Sequence, residues 1–286
     1  MPGMNDPDRN DASGTFRIRI WGARGSLPVS GPEFSVYGGN TICVEMRCGP
    51  HALFFDAGTG LLPAGYALKS EGITKFNLFL SHSHYDHILG LPFFPPLFDP
   101  EYSGSIWSGH LEGIMTTEQM IASFVCPPWS PIEPDIYLAD LAMRDFHAGD
   151  DLHPDPDVVI KTVKLEHPGG AVGYRVEWAD HAVAIITDIE HQPGVLEQPV
   201  LRLIANCDLI LYDSMFADAE MDKFRGFGHS SWQHAIRMAR EANVRRLGFI
   251  HHAPWRTDAE IDASDRQAKA EFPDSFFARD GQIIDL

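Results

Sequence analysis

Residues Phe79–Gly90 read FLSHSHYDHILG, and His82, His84, Asp86 and His87 within this stretch are all metal-ligand types. The run Phe76–Leu80 ahead of them reads as a buried strand, and Ile88–Leu91 behind them is apolar again. Polar side chains set between apolar segments are costly unless something satisfies them. A metal ion does so, because neutral imidazole and carboxylate are good ligands for zinc and similar ions. His82 and His84, two residues apart, can face one ion from a strand end or tight turn. Asp86 and His87 can then face a second ion on the other side of the turn. The bland alternative is a surface loop that happens to be rich in histidine, and four ligand types at this spacing weigh against it.

The surrounding chain is that of a globular protein. It has 286 residues, 44% hydrophobic and 22% charged, and no polar linker divides it into two self-sufficient patterns. We expect a tail over residues 1–15 and one domain over 16–286, with a proline- and aromatic-rich insert at about 92–146. The formal charge is −18, from 40 acidic residues against 22 Lys and Arg. Such a surface repels long polyanions, so no long nucleic acid is expected as partner, and a small anionic substrate fits better. Cys43, Cys48, Cys126 and Cys207 show no CxxC spacing. Cys43 and Cys48 share one predicted strand and, five apart, point to opposite faces, so reduced thiols in a cytoplasmic protein are expected. The N-terminus lacks the apolar core of a signal peptide, and no run approaches the ~20 apolar residues of a membrane span. A homodimer is the ordinary prior for oligomeric state.

Outward from the histidine turn, ligand-type residues recur at predicted strand ends. The apolar strand Ala52–Phe55 ends at Asp56, followed by Ala57-Gly58-Thr59-Gly60. That carboxylate reads equally as a site residue or as an N-cap for the helix around Leu61–Ser70. Val158–Leu165, Ala171–Glu177 and Ala182–Thr187 read as successive strands, the first running into Glu166-His167 and the third into Asp188. Asp208–Tyr212 ends at Asp213. Gly228-His229-Ser230-Ser231 opens a helix over Trp232–Ala242, with Ser230 or Ser231 as N-cap. Arg246–Ile250 ends at His251-His252, before a helix over Asp258–Glu271. Further helices are predicted at Thr116–Val125 and Leu196–Ala205, and strands at Phe16–Trp21, Thr41–Arg47, Ser105–Ser108, Ile136–Phe146, Phe276–Ala278 and Gln282–Asp285. Two mixed sheets packed face to face with helices outside accommodate this order.

Taken together, Asp56, the His82-x-His84-x-Asp86-His87 run, His167, Asp188 and His251 resemble the metallo-β-lactamase superfamily over about residues 16–286. The segment WGARGSLPVSGPEFSVYGGNT and the Gly228–Ser231 run are similar to its phosphodiesterase branch, which includes phosphoribosyl cyclic phosphodiesterases and tRNA 3′-processing endonucleases. The resemblance implies a four-layer αββα sandwich with two divalent metal ions, zinc by default and manganese or iron as alternatives. It implies that His82, His84 and His167 hold one ion, that Asp86, His87 and His251 hold the other, and that Asp188 bridges them. Asp56 would fix a ligand histidine, and His252 competes with His251 for its role. Asp213 falls where the tRNA-processing enzymes carry an acid that orients the histidine corresponding to His229. The chain departs from those enzymes in its acidity and in lacking a long basic arm.

Two divalent ions bring about +4, Asp86 and Asp188 reduce this to about +2, and a bridging hydroxide to about +1. A monoanionic phosphodiester suits that centre, whose hydroxide is the expected nucleophile. Expulsion of an alkoxide calls for a general acid, and His229, kept protonated by Asp213, is the expected one. The alternative is a thioester or lactone hydrolase on the same scaffold, which needs less help with its leaving group. His51, His110, His147, His153, His181, His191 and His234 have no motif support and are expected mostly at the surface or in packing.

Overall fold

Alternation in the first strand shows how the sandwich is built. In β1 (Phe16–Gly22), Phe16, Ile18 and Ile20 are buried while the residues between them are partly exposed, the period of two that lets one sheet face cover a core. The computed structural model describes residues 14–286; the tail expected over residues 1–15 falls, up to residue 13, outside the described residues. β1 is followed by β2 (Cys43–Cys48), β3 (His51–Phe55), β4 (Lys75–Leu80), β5 (Ser103–Ser108) and β6 (Asp140–Asp145). Then come β7 (Asp151–Asp155), β8 (Val158–Leu165), β9 (Ala171–Trp178), β10 (His181–Ile186), β11 (Leu209–Asp213), β12 (Arg246–Ile250), β13 (Ser275–Phe277) and β14 (Gln282–Asp285). They form two seven-stranded sheets, ordered β14-β1-β2-β3-β4-β5-β6 and β13-β12-β11-β10-β9-β8-β7.

The inner faces meet in one apolar core that includes Phe16, Ile18, Phe55, Phe79, Tyr174, Val183 and Leu211. Outside the first sheet lie α1 (Leu61–Glu71), the single turn α2 (Tyr85–Ile88) and α3 (Thr117–Phe124), over a second cluster around Phe54, Phe76 and Phe94. Outside the second lie α4 (Gln198–Ile204), α5 (Trp232–Glu241) and α6 (Asp258–Glu271), over a third cluster around Ile210, Ile236 and Phe249. This is the expected αββα order. Cys43 sits in the outer cluster of the first sheet and Cys48 in the inter-sheet core, and all four cysteines are free. Among the described residues no helix is long and apolar enough to cross a membrane.

Two strand expectations differ from the structure. Of the expected strand Ile136–Phe146 only Asp140–Asp145 joins the sheet as β6: Ile136 closes a 3-10 turn that starts at Pro134, and the N–H groups of Leu138 and Ala139 donate to Leu97 O instead of to a ladder. β7, Asp-Leu-His-Pro-Asp, escaped the pattern altogether: it is a polar strand ending the second sheet, with a proline and little apolar alternation to betray it. Residues 92–146 supply β5 and β6, which extend the first sheet beyond β4.

What positions the site is strand direction. β3 and β4 are parallel, as are β10, β11 and β12. β8 pairs antiparallel with β9, which pairs antiparallel with β10, so β8 runs with β10. The C-terminal ends of these strands therefore open on one edge of the sandwich. Tyr174 of β9 clips the two sheets there, its hydroxyl donating to Leu80 O at 2.6 Å, while Val172 N donates to Ser81 O at 2.9 Å.

Candidate metal centre

Five of the ligand-type residues named in the sequence stand just past strands. Asp56 follows β3, His82 follows β4 by two residues, His167 follows β8, Asp188 follows β10, and His251 follows β12. Asp86 and His87 ride on α2, whose first turn begins after His84. Asp56, Asp188 and His251 adopt left-handed backbone (φ 62°, 55° and 62°), as does Ser26 (φ 62°), whose N–H donates to Asp86 Oδ2 at 2.7 Å. Non-glycine residues held in this region carry strain and cluster at functional sites.

The side chains converge in two overlapping groups. Ligand atoms of His82, His84 and His167 lie within 4.8 Å of one another, as do those of Asp86, His87 and His251. Asp188 lies between them. Its Oδ1 is 3.8 Å from His82 Nε2 and 3.7 Å from His167 Nε2. Its Oδ2 is 3.2 Å from His87 Nε2 and 3.3 Å from His251 Nε2. Each carboxylate oxygen thus serves one group. His251 Nε2 also stands 3.1 Å from Asp86 Oδ2. His252 points elsewhere, its Nε2 donating to Ala278 O at 2.8 Å.

Hydrogen bonds fix the ring orientations. Asp56 Oδ2 accepts from His87 Nδ1 at 2.9 Å and from Ser81 Oγ at 2.8 Å, and Oδ1 accepts from Ser81 N at 2.7 Å. The N-cap of α1 is Gly60, with no side-chain cap, so Asp56 does not serve that helix. His167 Nδ1 donates to Gly228 O at 2.8 Å, freeing Nε2 for the cluster. Such bonds from the far ring nitrogen set the tautomer that a metal ligand needs.

The protein groups alone leave this arrangement unsatisfied. His167 Nε2 and His84 Nδ1 are 3.1 Å apart, His87 Nε2 and His251 Nε2 3.3 Å apart, and buried His82 Nε2 has no hydrogen-bond partner. Burial lowers the pKa of His82, His84 and His167, favouring neutral imidazoles with a lone pair. Burial would do the same to His87, but Asp86, Asp188 and Asp56 raise it well above its usual value. The pocket wants positive charge, and divalent cations would supply it at the convergent atoms. The residues present fit two such ions.

His229 adjoins the cluster. Its ring centroid is 4.8 Å from that of His251, and its Nδ1 donates to Asp213 Oδ2 at 2.9 Å. Asp213 is fully buried and held by the N–H groups of Asp188, Met215 and Ser230. Burial works against the imidazolium, yet Asp213 raises its pKa to about 9. Ser231, not Ser230, caps α5, accepting from His234 N at 3.1 Å.

A second histidine group lies behind this pair and is buried rather than at the surface. His191 and His234 stack at 3.7 Å, with Glu197 and the Tyr212 hydroxyl bonded to His191. Arg237 donates to His234 Nδ1 at 3.2 Å, which leaves the proton on Nε2, with Glu197 Oε2 4.0 Å away and no hydrogen-bond partner for Nε2; the two rings are joined by stacking.

Several supporting residues received no role from the sequence: two glycines that leave room for rings, and two side chains, of Ser81 and Glu190, that hold their neighbours. A Cβ on Gly25 would lie 2.2 Å from the His251 ring, and one on Gly228 (φ +84°) 2.2 Å from His167 Nδ1. Ser81 was passed over although it precedes His82. Glu190 accepts from Gly226 N and Gly228 N at 2.8 Å and anchors the loop ahead of His229. Only the adjacency of Ser81 to His82 was a usable signal.

Comparison with known proteins identifies the fold and the family. A ribonuclease Z of Oceanobacillus iheyensis is 23% identical over 267 residues, covering 77% of this chain and 84% of its own length. The metallo-β-lactamase fold protein YhfI of Bacillus subtilis superposes with a TM-score of 0.72 at 17% identity, covering 96% of this chain and 100% of its own. A diphosphatase from the PhnP family superposes with a TM-score of 0.69 at 17% identity, covering 95% and 98%. At these identities the two structures establish the fold. The family model described as Beta-lactamase superfamily domain matches residues 51–252, which hold every proposed metal-facing side chain. The chain belongs to the beta-lactamase superfamily domain family and has the metallo-β-lactamase fold.

Proposed function

We propose that this metallo-β-lactamase-fold hydrolase is a dinuclear phosphodiesterase acting on a small phosphodiester, cyclic esters included. His82, His84 and His167 would hold one ion and Asp86, His87 and His251 the other, with Asp188 between them; zinc suits this donor set, and manganese or iron are alternatives. Bound divalent cations polarise phosphoryl oxygens and make water nucleophilic at neutral pH. The chain's own groups do the rest. Asp56 holds His87, the Gly228 carbonyl holds His167, and Ser26 N holds Asp86, so that the ligand atoms are ordered before substrate arrives.

The observation that carries the phosphodiester reading is the His229–Asp213 pair. Thioester cleavage expels a thiolate, a stabler leaving group, whereas an alkoxide leaving phosphorus needs a proton in the transition state; a lactone also expels an alkoxide, so the substrate panel and not this pair separates it from the phosphodiester. With Nδ1 engaged by Asp213, His229 has Nε2 free to give that proton, and its raised pKa keeps it charged at neutral pH. The relatives named ribonuclease Z cleave the same class of bond, which supports an RNA substrate as a second reading. The −18 charge favours the small substrate.

Metal analysis with a substrate panel tests this: bis-p-nitrophenyl phosphate, cyclic nucleotides, a phosphoribosyl cyclic phosphate, an RNA oligonucleotide, a thioester and a lactone. Two metal equivalents with preference for the small phosphodiesters are expected. Preference for the carbonyl substrates would overturn the proposal.

A further inference from the structure

A row of aromatic rings leads away from His229 to the surface. Its first member, Phe216, is buried with its centroid 6.1 Å from the imidazole. Phe224 stacks on Phe216 at 4.5 Å with the planes 3° apart, and Trp255 continues at 5.9 Å and 26°. Phe227 meets Phe224 edge-on at 5.7 Å. Trp255 and Phe227 are 51% and 61% exposed, although large aromatics usually hide most of their area. The loop that carries Phe224 and Phe227 is not loose. Glu190 clamps Gly226 and Gly228, and His167, itself facing the metal cluster, donates to Gly228 O.

We infer that Trp255 and Phe227 form a stacking shelf for a planar aromatic group on the leaving alcohol, the nucleobase of a nucleoside. This deepens, and rests on, the phosphodiesterase reading. The row that carries the shelf begins at Phe216 beside the proposed acid, which favours the leaving-group side of phosphorus for the group it would hold. Trp255 lies within 26° of the Phe224 plane and offers a flat face to a heterocycle, while Phe227 stands edge-on to their common neighbour Phe224, an arrangement that suits a flat ring and not a branched aliphatic chain. Base–aromatic stacking needs no sequence-specific hydrogen bonds. The ammonium of Lys223 lies 4.9 Å from the Phe224 ring, adding one cation for an anionic or electron-rich ligand. With no long phosphate track in so acidic a chain, the occupant is a mononucleoside-sized group and not an extended strand. Glu190 is then a positioning residue that sets the loop's height against the metal cluster.

The test is calorimetric binding of adenosine 5′-monophosphate and ribose 5-phosphate to the metal-loaded protein, with turnover of bis-p-nitrophenyl phosphate measured alongside. The nucleotide should bind at least roughly tenfold tighter, equal to about 1.4 kcal/mol. Trp255→Ala and Phe227→Ala should each reduce that preference and together erase it, leaving ribose 5-phosphate affinity within about twofold, while Trp255→Phe should keep it. Equal binding of the two ligands by the unaltered protein, or a preference that survives in the double variant, would overturn the shelf. If bis-p-nitrophenyl phosphate is turned over in that case, the phosphodiesterase reading stands without the shelf. If it is not turned over but the nucleotide preference follows Trp255, the ligand site stands and the reaction assignment falls.

Discussion

Replacing His229 with alanine separates a general acid from a metal ligand, and the leaving group reads the difference. The imidazole bonds Asp213 at 2.9 Å, and its side chain is 9% exposed, so bulk water cannot simply take its place. Asp213 raises its pKa to about 9, which favours the protonated ring at neutral pH. Loss of such an acid should cost 10²–10⁴-fold, or about 3–5 kcal/mol, in kcat for an ester that expels an alkoxide. An ester that expels p-nitrophenolate, already a stable anion, should lose less than about tenfold. The assay compares a cyclic phosphodiester with bis-p-nitrophenyl phosphate in both proteins, with metal content measured on the same samples. On the proposal that His229 is the general acid, its protonated form is the active one, so wild-type turnover of the cyclic ester should fall as pH rises through about 9, or lower once bound dications repel the imidazolium. The variant should lack that limb. Equal losses on both substrates, or departure of metal from the variant, would refute the assignment.

Three further outcomes follow from the same geometry. Asp56→Ala removes the acceptor of His87 Nδ1 and Ser81 and should weaken metal binding about 10–100-fold while the fold persists, measured by competition with a chelator; unchanged affinity would deny Asp56 its orienting role. Stripping metal should lower the thermal midpoint, because buried carboxylates and facing imidazole nitrogens lose their counter-charge, and adding zinc should restore it; a midpoint indifferent to chelation would argue against a buried dinuclear centre. Burial depresses the His234 pKa from 6.5 to about 3, so the unfolded chain binds that proton first. The resulting stability is complete above pH about 6.5 and lost as pH falls toward 3, so His234→Gln should flatten the acid-side slope of urea midpoints. A slope unchanged by the substitution would place the titration elsewhere.

Strand periodicity and glycine or proline punctuation made most elements legible, because a two-sided sandwich forces alternation in strands such as β1 and continuous burial in β10 and β11. β7 was not legible, since a polar edge strand has little to bury. The site was legible where the chemistry is local. His82 to His87 occupy six consecutive positions, and no ordinary packing need explains four ligand types there. Asp56 was ambiguous, because a carboxylate before a helix reads as a cap or a site, and only its bonds to Ser81 and His87 separate the two.

The sequence by itself determined the side chains rich in ligand atoms and their position at strand ends, which follow from periodicity and residue chemistry, while the four-layer sandwich rested on the family resemblance. Tertiary structure alone decided how they meet. Parallel running of β8, β10, β11 and β12 brings His167, Asp188, Asp213 and His251 to one edge. Left-handed backbone at Asp188 and His251 aims them, and Gly25 and Gly228 leave room for the rings. The choice of His251 over His252, the two-sided contact of Asp188 and the aromatic row beside His229 depend on distances between residues far apart in the chain, and no local pattern encodes those.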